Sequence, residues 1–475
     1  MATCGRRRGE FVTRPEVHAP QVPGFLQRLI VVVILLGTYT NFALNIGVLL
    51  YGFLPLVVGG LLFVRHAPAS RPILQVFAAL FVVCMVVDLG SASFPSDVTN
   101  LVQSTALLLA SVAAGLGLFA ELRRWPRRTL GDILLAACIA VVVMGYFERF
   151  APVAEFSDSV REVLYSADGQ FLYSSDERDM FFYGTVRPKI FTQEPSHPAK
   201  FVAFAGAAWF LLTTRRHRLA VAAILFALAT YVLRSPSLFA GPALVLYSWA
   251  FGVNGRFQRA SMTARLSVVA AAVAAVVMLP EWISIVPTPR SADIAQGADV
   301  SSIVRLVGAR EVAVELVRES PLFGVGIGGK DYAWDTVLSV YASFPGVDLE
   351  QFYLSPDVGW GNGFFQCIAY CGLLGTAAFL WWIAFLSKKL VTFDWPAMLM
   401  TFFVSFNLDG AVNLVRPWVY FFLVAVAYHM SMRDVTLGIR GVHPSLDPPS
   451  SALQPQRSGN SVSRHSTSDV AGRAA

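Results

Sequence analysis

Cysteine is scarce in this chain, with 5 in 475 residues. Cys4 lies in the polar N-terminus, Cys84, Cys138, Cys367 and Cys371 lie in apolar runs, and the long polar segments have none. That placement excludes a disulfide framework. Cys367 and Cys371 are four apart on one predicted helix, but no histidine or third thiolate is nearby, so ordinary packing accounts for them and no metal is expected. Charge is scarce too: 14% of residues are charged and 55% hydrophobic, with a mean hydropathy of +0.57. The formal net charge of +6 comes from short basic clusters between apolar runs, which is where membrane topology puts them, and a nucleic-acid partner is not expected. No small-residue cleavage site follows the first hydrophobic region, so that region is expected to be an uncleaved span. The arginine pair near Arg6 stands too far from it for a twin-arginine export signal.

Long hydrophobic runs are what the chain has in abundance. Runs of about 17 to 22 apolar residues can cross a hydrocarbon layer of roughly 30 Å as helices, the open structure that satisfies its own backbone there. About twelve are expected: Leu29 to Ile46, Val48 to Val64, Ile73 to Leu89, Leu101 to Ala120, Leu130 to Tyr146, Phe201 to Thr214, Leu219 to Leu233, Leu238 to Val253, Leu266 to Ile285, Phe364 to Leu386, Trp395 to Leu408 and Ala411 to Tyr428. The connections holding Arg65 and Arg71, Arg123 to Arg128, Arg215 to Arg218, Arg256 to Arg265, and Lys388 with Lys389 fall on one side, cytoplasmic by the positive-inside rule. Both termini share that side. The fold class is thus an all-α polytopic membrane protein. Residues 1–28 form a cytoplasmic N-terminus, 29–437 a membrane domain and 438–475 a disordered cytoplasmic tail rich in Ser and Pro.

Two segments, 148–200 and 286–361, are left on the other side and are too long for mere connectors. In the first, Val163 to Tyr165 and Phe171 to Tyr173 flank Asp168-Gly169, a hairpin pattern. In the second, Val300 to Glu319 is expected to be a helix lying along the membrane surface, with Asp299 or Ser301 as N-cap. Its apolar side would gather Leu306, Ala309, Ala313, Val314, Leu316 and Val317, with Arg305 at the border and Arg310 in the middle. A guanidinium there needs an anion, either a lipid headgroup or a substrate pyrophosphate. The following run from Pro321 to Gly329 lacks a Walker Lys-Ser/Thr ending and is expected to be a tight glycine turn. Asp88, Arg234, Asp409 and Arg416 share the level of the outer helix ends, either as interfacial snorkelling groups or as a polar site facing outward. Asn362, Gln366 and Tyr370 share a helix face and would bind sugar hydroxyls or join neighbouring helices.

This arrangement resembles the O-antigen polymerase and O-antigen ligase superfamily of bacterial surface-polysaccharide assembly. The resemblance rests on an arginine-bearing helix (Arg305), then Pro321-Leu322-Phe323-Gly324-Val325-Gly326, then a span carrying Gly372-Leu373-Leu374-Gly375. A second piece is Arg187 and Phe191 before Glu194-Pro195-Ser196 and Ala199, similar to an Arg-Phe-Glu-Pro-Ser element of polymerase-like members. Ligases carry a His-Asn pair where this chain has Gly361 and Asn362, so the resemblance favours a polymerase over a ligase.

It implies a glycosyltransferase C-like fold in the bacterial inner membrane and a substrate of undecaprenyl-pyrophosphate-linked oligosaccharide units at the periplasmic face. It also implies metal-independent glycosyl transfer without a cofactor, among membrane lipids, with a chain-length regulator and export machinery as further partners. Arg187 and Arg305 would stabilise the departing pyrophosphate. Glu194 would take the acceptor proton or else fix its loop, with Asp357 and His197 as other bases. Arg310, Asn362, Gln366, Arg234 and Arg416 are the candidate substrate-binding residues. A transporter or flippase would instead show two similar halves and charge near the midplane, neither of which is visible in the sequence. A structural assembly partner would leave the arginines beside glycine turns unexplained.

Overall fold

A computed structural model of the chain describes residues 23–45, 49–150, 153–165, 172–174, 176–252, 257, 260–277, 303–344, 347, 349–350, 361–391 and 394–441. A helix lies over each of the twelve apolar runs. These are α1 (Phe25–Thr40), α2 (Phe53–His66), α3 (Arg71–Gly90), α4 (Val98–Leu122), α5 (Arg127–Phe150), α8 (Ser196–Leu212), α9 (Arg218–Leu233), α10 (Ala240–Phe251), α11 (Met262–Val277), α14 (Gly363–Leu386), α15 (Trp395–Leu408) and α16 (Val415–Gly441). Between them come α6 (Ala154–Leu164), α7 (Asp176–Tyr183), α12 (Gly308–Glu319) and α13 (Lys330–Ala342). By length and composition, Arg71–Gly90, Val98–Leu122, Arg127–Phe150 and Gly363–Val391 are long and apolar enough to cross a membrane, and six further apolar helices are shorter. Large apolar side chains stand exposed along α3, α5, α9 and α14, among them Phe81, Phe147, Ile224 and Trp381, a surface suited to lipid rather than water.

Two helices form the centre. Every residue of α8 is buried, as a helix that is apolar on all sides beyond Lys200 requires, and Phe204 stacks on Tyr420 of α16 at 4.7 Å. Trp418 then meets Phe379, Trp382, Phe402 and Phe406 from α14 and α15. Small residues let α2 and α4 approach closely: a Cβ at Gly117 would lie 2.1 Å from the Gly59 carbonyl. At one end of the bundle His66 meets Glu121 at 2.8 Å, Arg127 donates to the Leu211 carbonyl at 2.6 Å and Arg265 pairs with Asp394 at 3.2 Å. The outer ends of α1, α5, α8, α9, α14, α15 and α16 meet at the other.

Several expected boundaries shift. The first helix stops at Thr40 rather than Ile46, because Asn41 turns left-handed (φ 52°) as its C-cap. An antiparallel pair of short strands, β1 (Ala43–Asn45) and β2 (Leu49–Tyr51), follows. The expected strand at Val163 to Tyr165 is instead the end of α6, a helix that buries Ser157 and Arg161; Asp168-Gly169 lies outside the described residues. The expected helix is described from Ile303, where a π-turn, Ile303–Val307, precedes α12, and α12 buries Gly308, Ala309, Val312, Ala313 and Leu316 while packing on α13 and α14 instead of lying free on a surface. Val312 is buried in place of Val314, which is exposed, because the buried stripe is set by packing on two helices, α13 and α14. The caps Asp299 and Ser301 lie outside the described residues, as does the tail beyond Gly441.

The glycine run is a backbone clamp. Val325 and Gly326 donate to the Ala369 and Tyr370 carbonyls at 3.2 and 2.9 Å, and Leu373 and Leu374 donate back to Pro321 and Leu322 at 2.8 and 2.9 Å. The exchange is possible because α14 breaks at Gly372 (φ 60°, ψ −167°). Asp88 ties the same run to α3 and α4, accepting from the Ile327 amide at 2.8 Å and the Thr105 hydroxyl at 2.5 Å. A Cβ on Gly372 would lie 2.4 Å from the Gly324 amide nitrogen, and one on Gly324 2.2 Å from the Ala369 carbonyl. Gly372→Ala or Gly324→Ala should cost about 1 to 3 kcal/mol in backbone strain alone, read as a lowered thermal midpoint in detergent. Gly60→Ala, with open space around it, should leave the midpoint unchanged or raise it.

Candidate functional site

Where these outer helix ends meet, a chain of alternating charge leads inward. Arg305, in the π-turn, places Nη2 3.1 Å from both carboxylate oxygens of Glu194. Ser196 donates to Glu194 Oε2 at 2.7 Å. Arg305 is 42% exposed and Glu194 20%, so this pair is the open end of the cluster. Deeper in, Lys200 Nζ lies 3.1 Å from Asp409 Oδ1, and Arg416 holds the same carboxylate through Nε at 2.6 Å and through Nη2. Lys200, Asp409 and Arg416 are each at most 5% exposed, and His197 at 4% is within electrostatic reach of all three. Arg416 Nη1, His197 Nδ1 and Tyr420 Oη are buried without a hydrogen-bond partner among the described residues.

The turn before Glu194 is strained. Ile190 and Phe191 both take positive φ, 45° and 61°, a conformation that costs a non-glycine residue about 1 to 3 kcal/mol. Their surroundings hold them there. Glu148 accepts from the Lys189 and Ile190 amides at 2.8 and 2.7 Å, Ser157 from the Phe191 amide at 3.2 Å, and Tyr39 and Tyr165 donate to the Ile190 and Phe191 carbonyls at 2.8 and 3.0 Å. Buried Arg161 donates to the carbonyls of Thr192 at 2.7 Å and Tyr173 at 2.9 Å. Strain over-determined in this way fixes the direction in which Glu194 leaves the backbone.

The other sequence candidates fall into separate places. Arg187 lies over the Tyr183 ring at 4.5 Å and is held by buried Asp179 at 2.8 Å, and no hydrogen bond or ion pair joins it to Glu194 or Arg305 among the described residues. Arg234, left-handed at φ 45°, donates to the Tyr183 carbonyl, so these two arginines share one neighbourhood. Arg310 pairs with Glu311 at 3.0 Å. Asn362 is the N-cap of α14 rather than part of its face: Oδ1 accepts from the Phe364 and Phe365 amides at 3.0 and 3.2 Å, and Nδ2 donates to the Arg305 carbonyl at 2.9 Å. Gln366 donates to Tyr370 Oη at 3.1 Å and accepts from the Val412 amide at 2.7 Å. Asp357 lies outside the described residues. Of the shared-depth group, Asp409 and Arg416 come together, whereas Asp88 serves the glycine clamp. Lys200, Asp179 and Arg161 were not singled out by sequence; a lysine three residues after His197 at the mouth of an apolar helix is the signal for the first.

Burial would raise the carboxyl of Glu194, but Arg305, His197, Lys200 and the Ser196 hydroxyl hold it well below the usual range. Asp409 follows the same logic: burial raises it, and Arg416 and Lys200 more than offset this. A carboxylate with a depressed folded pKa stabilises the fold fully above its unfolded pKa, about 4, and loses that contribution as pH falls through the folded value. Glu194→Gln should therefore flatten the acid limb of the stability profile below about pH 4, measured by thermal melts from pH 3 to 7. Asp409→Asn should be severe, about 3 to 5 kcal/mol, because two buried cations lose their common anion, and should appear as a lost or strongly lowered thermal transition. No protein-family model matches this sequence, and no curated protein matches it significantly.

Proposed function

We propose that the chain is a twelve-span inner-membrane glycosyltransferase that polymerises undecaprenyl-pyrophosphate-linked oligosaccharide units at the periplasmic face, with both termini cytoplasmic. The observation that carries this reading is the Glu194–Arg305 pair at the mouth of the buried Lys200–Asp409–Arg416 cluster. It gathers cations for a departing pyrophosphate and a carboxylate for an incoming hydroxyl at one end of the bundle. In the reaction, the acceptor hydroxyl attacks the anomeric carbon, the bond from sugar to pyrophosphate breaks with its electron pair on the phosphate oxygen, and the hydroxyl proton passes to a base. Arg305 meets the developing charge. Glu194, ionised but held by Arg305 and Ser196, becomes an effective base once the pyrophosphate draws Arg305 away.

The ligase alternative would need a histidine where Gly361 stands. A Cβ there would already lie 2.8 Å from Val304 Cγ1 and 3.0 Å from the Val304 carbonyl, so this position has no room for an imidazole while the Arg305 turn keeps its place. Arg187, held on Asp179, supports the loop in this reading instead of meeting the leaving group. In a deletion strain the surface and secreted polysaccharide should collapse to single repeat units. Wild type and Arg187→Lys should restore long chains, whereas Arg305→Ala, expressed at normal level, should restore less than about 1% of polymer, the scale of one lost charge-stabilising donor. Long polymer in the deletion strain itself would refute the assignment and return the transporter and flippase readings.

A further inference from the structure

At the bundle end opposite this site, four half-buried or buried basic side chains have an acceptor. His66 has Glu121, Arg127 the Leu211 and Leu212 carbonyls, Arg218 the Thr213 carbonyl and Arg265 the Asp394 carboxylate. One group has not. Arg123 caps the C-terminus of α4 with Arg124 beside it, and neither guanidinium has a hydrogen bond or ion pair among the described residues. His429 of α16 stands edge-on to Phe119 of α4 at 5.6 Å and has Arg123 and Arg433 as its charged neighbours. Its Nδ1 and Arg433 Nε are buried and lack hydrogen-bond partners among the described residues. The closest carboxylate in sequence to Arg123, Glu121, is taken by His66 at 2.8 Å and Trp125 at 3.2 Å.

Such an uncompensated set is costly. Buried polar atoms are nearly always hydrogen-bonded, and guanidinium groups withdrawn from bulk water call for an anion. The negative end of the α4 dipole offsets part of the charge, yet it leaves the Nε donor of Arg433 without an acceptor among the described residues. The ligand must bring negative charge and several acceptor oxygens to helix ends at the level of a headgroup. A phosphodiester at the membrane surface does both, and basic pockets between helices on the cytoplasmic side are known to take acidic headgroups.

We propose that Arg123, Arg124, Arg433 and His429 form a binding site for the phosphate of an anionic phospholipid, separate from the candidate catalytic cluster. Bound there, the lipid joins α4 to α16 and the α14–α15 connection, since the Leu390 backbone is bonded to His429. The site does not depend on what reaction the opposite end performs.

The test is native mass spectrometry of the full-length chain in detergent, titrated with phosphatidylglycerol or phosphatidylcholine of identical acyl chains. Wild type should retain phosphatidylglycerol on the order of tenfold better, the scale of one or two basic contacts. The Arg123→Gln/Arg433→Gln variant should lose that preference. Lys388→Gln/Lys389→Gln, which removes two exposed lysines at the same end, should keep it. No preference in wild type, survival of the preference in the arginine variant, or equal loss in the lysine control would each overturn the site. Displacement of the lipid by millimolar inorganic phosphate would likewise reassign it to a free anion. If circular dichroism shows the double variant misfolded, Arg124→Gln should still lower the preference several-fold, and an unchanged value there overturns the proposal.

Discussion

A carboxylate at the end of an apolar helix must gain cations or remain in water, and Asp409 gains two. Lys200 reaches it from α8 and Arg416 from α16, while its own carbonyl accepts the Gly363 amide at the start of α14 at 2.9 Å. One residue therefore ties the two central helices to the pair that brings the glycine clamp and Arg305. The attraction is strong because water is excluded, and the same exclusion makes each lone member costly. The apolar packing around Trp418 and α8 supplies bulk stabilisation without direction. The Asp409 contacts set the depth at which the helix ends meet.

The clamp and the strained turn work toward the same end from opposite sides. On one side, Gly372 and Gly324 let two backbones cross at a distance no side chain tolerates, which fixes the loop that begins with Arg305. On the other, Ile190 and Phe191 are kept left-handed by Glu148, Ser157, Tyr39 and Tyr165, which fixes Glu194. Two residues 111 positions apart thus meet as an ion pair. Both supports lie outside the pair itself, so the pair is positioned by its surroundings and not only by its own attraction.

Charge is distributed unevenly between the two ends of the bundle. The candidate site alternates cation and carboxylate, so each charge has a neighbour and the excess is a single positive unit. The opposite end pairs His66, Arg127, Arg218 and Arg265 with carbonyls or single acids and leaves one half-buried arginine cluster unmatched among the described residues. A positive-inside tendency would account for basic residues at that end. It does not explain why some are withdrawn from water without acceptors, and that difference separates a topological signal from a binding site.

The apolar runs were legible without any structure because helix length against bilayer thickness is a local property; α15 begins and ends at the expected residues, and α14 begins within one. Asp88, Arg234, Asp409 and Arg416 were recognisable as charges at one depth, since a charge beside an apolar run is visible in one dimension, and the fold brings two of them, Asp409 and Arg416, together. Boundaries failed where tertiary contacts decided them: Asn41 ended α1 early, and burial of Arg161 made a helix where alternation suggested a strand. The site was divided in the same way. Sequence grouped Arg187, Glu194 and Arg305 in one site, whereas the fold joins Arg305 to Glu194 and gives Arg187 to Asp179. Which cation meets which carboxylate depends on distances across helices, and no periodicity along the chain encodes them.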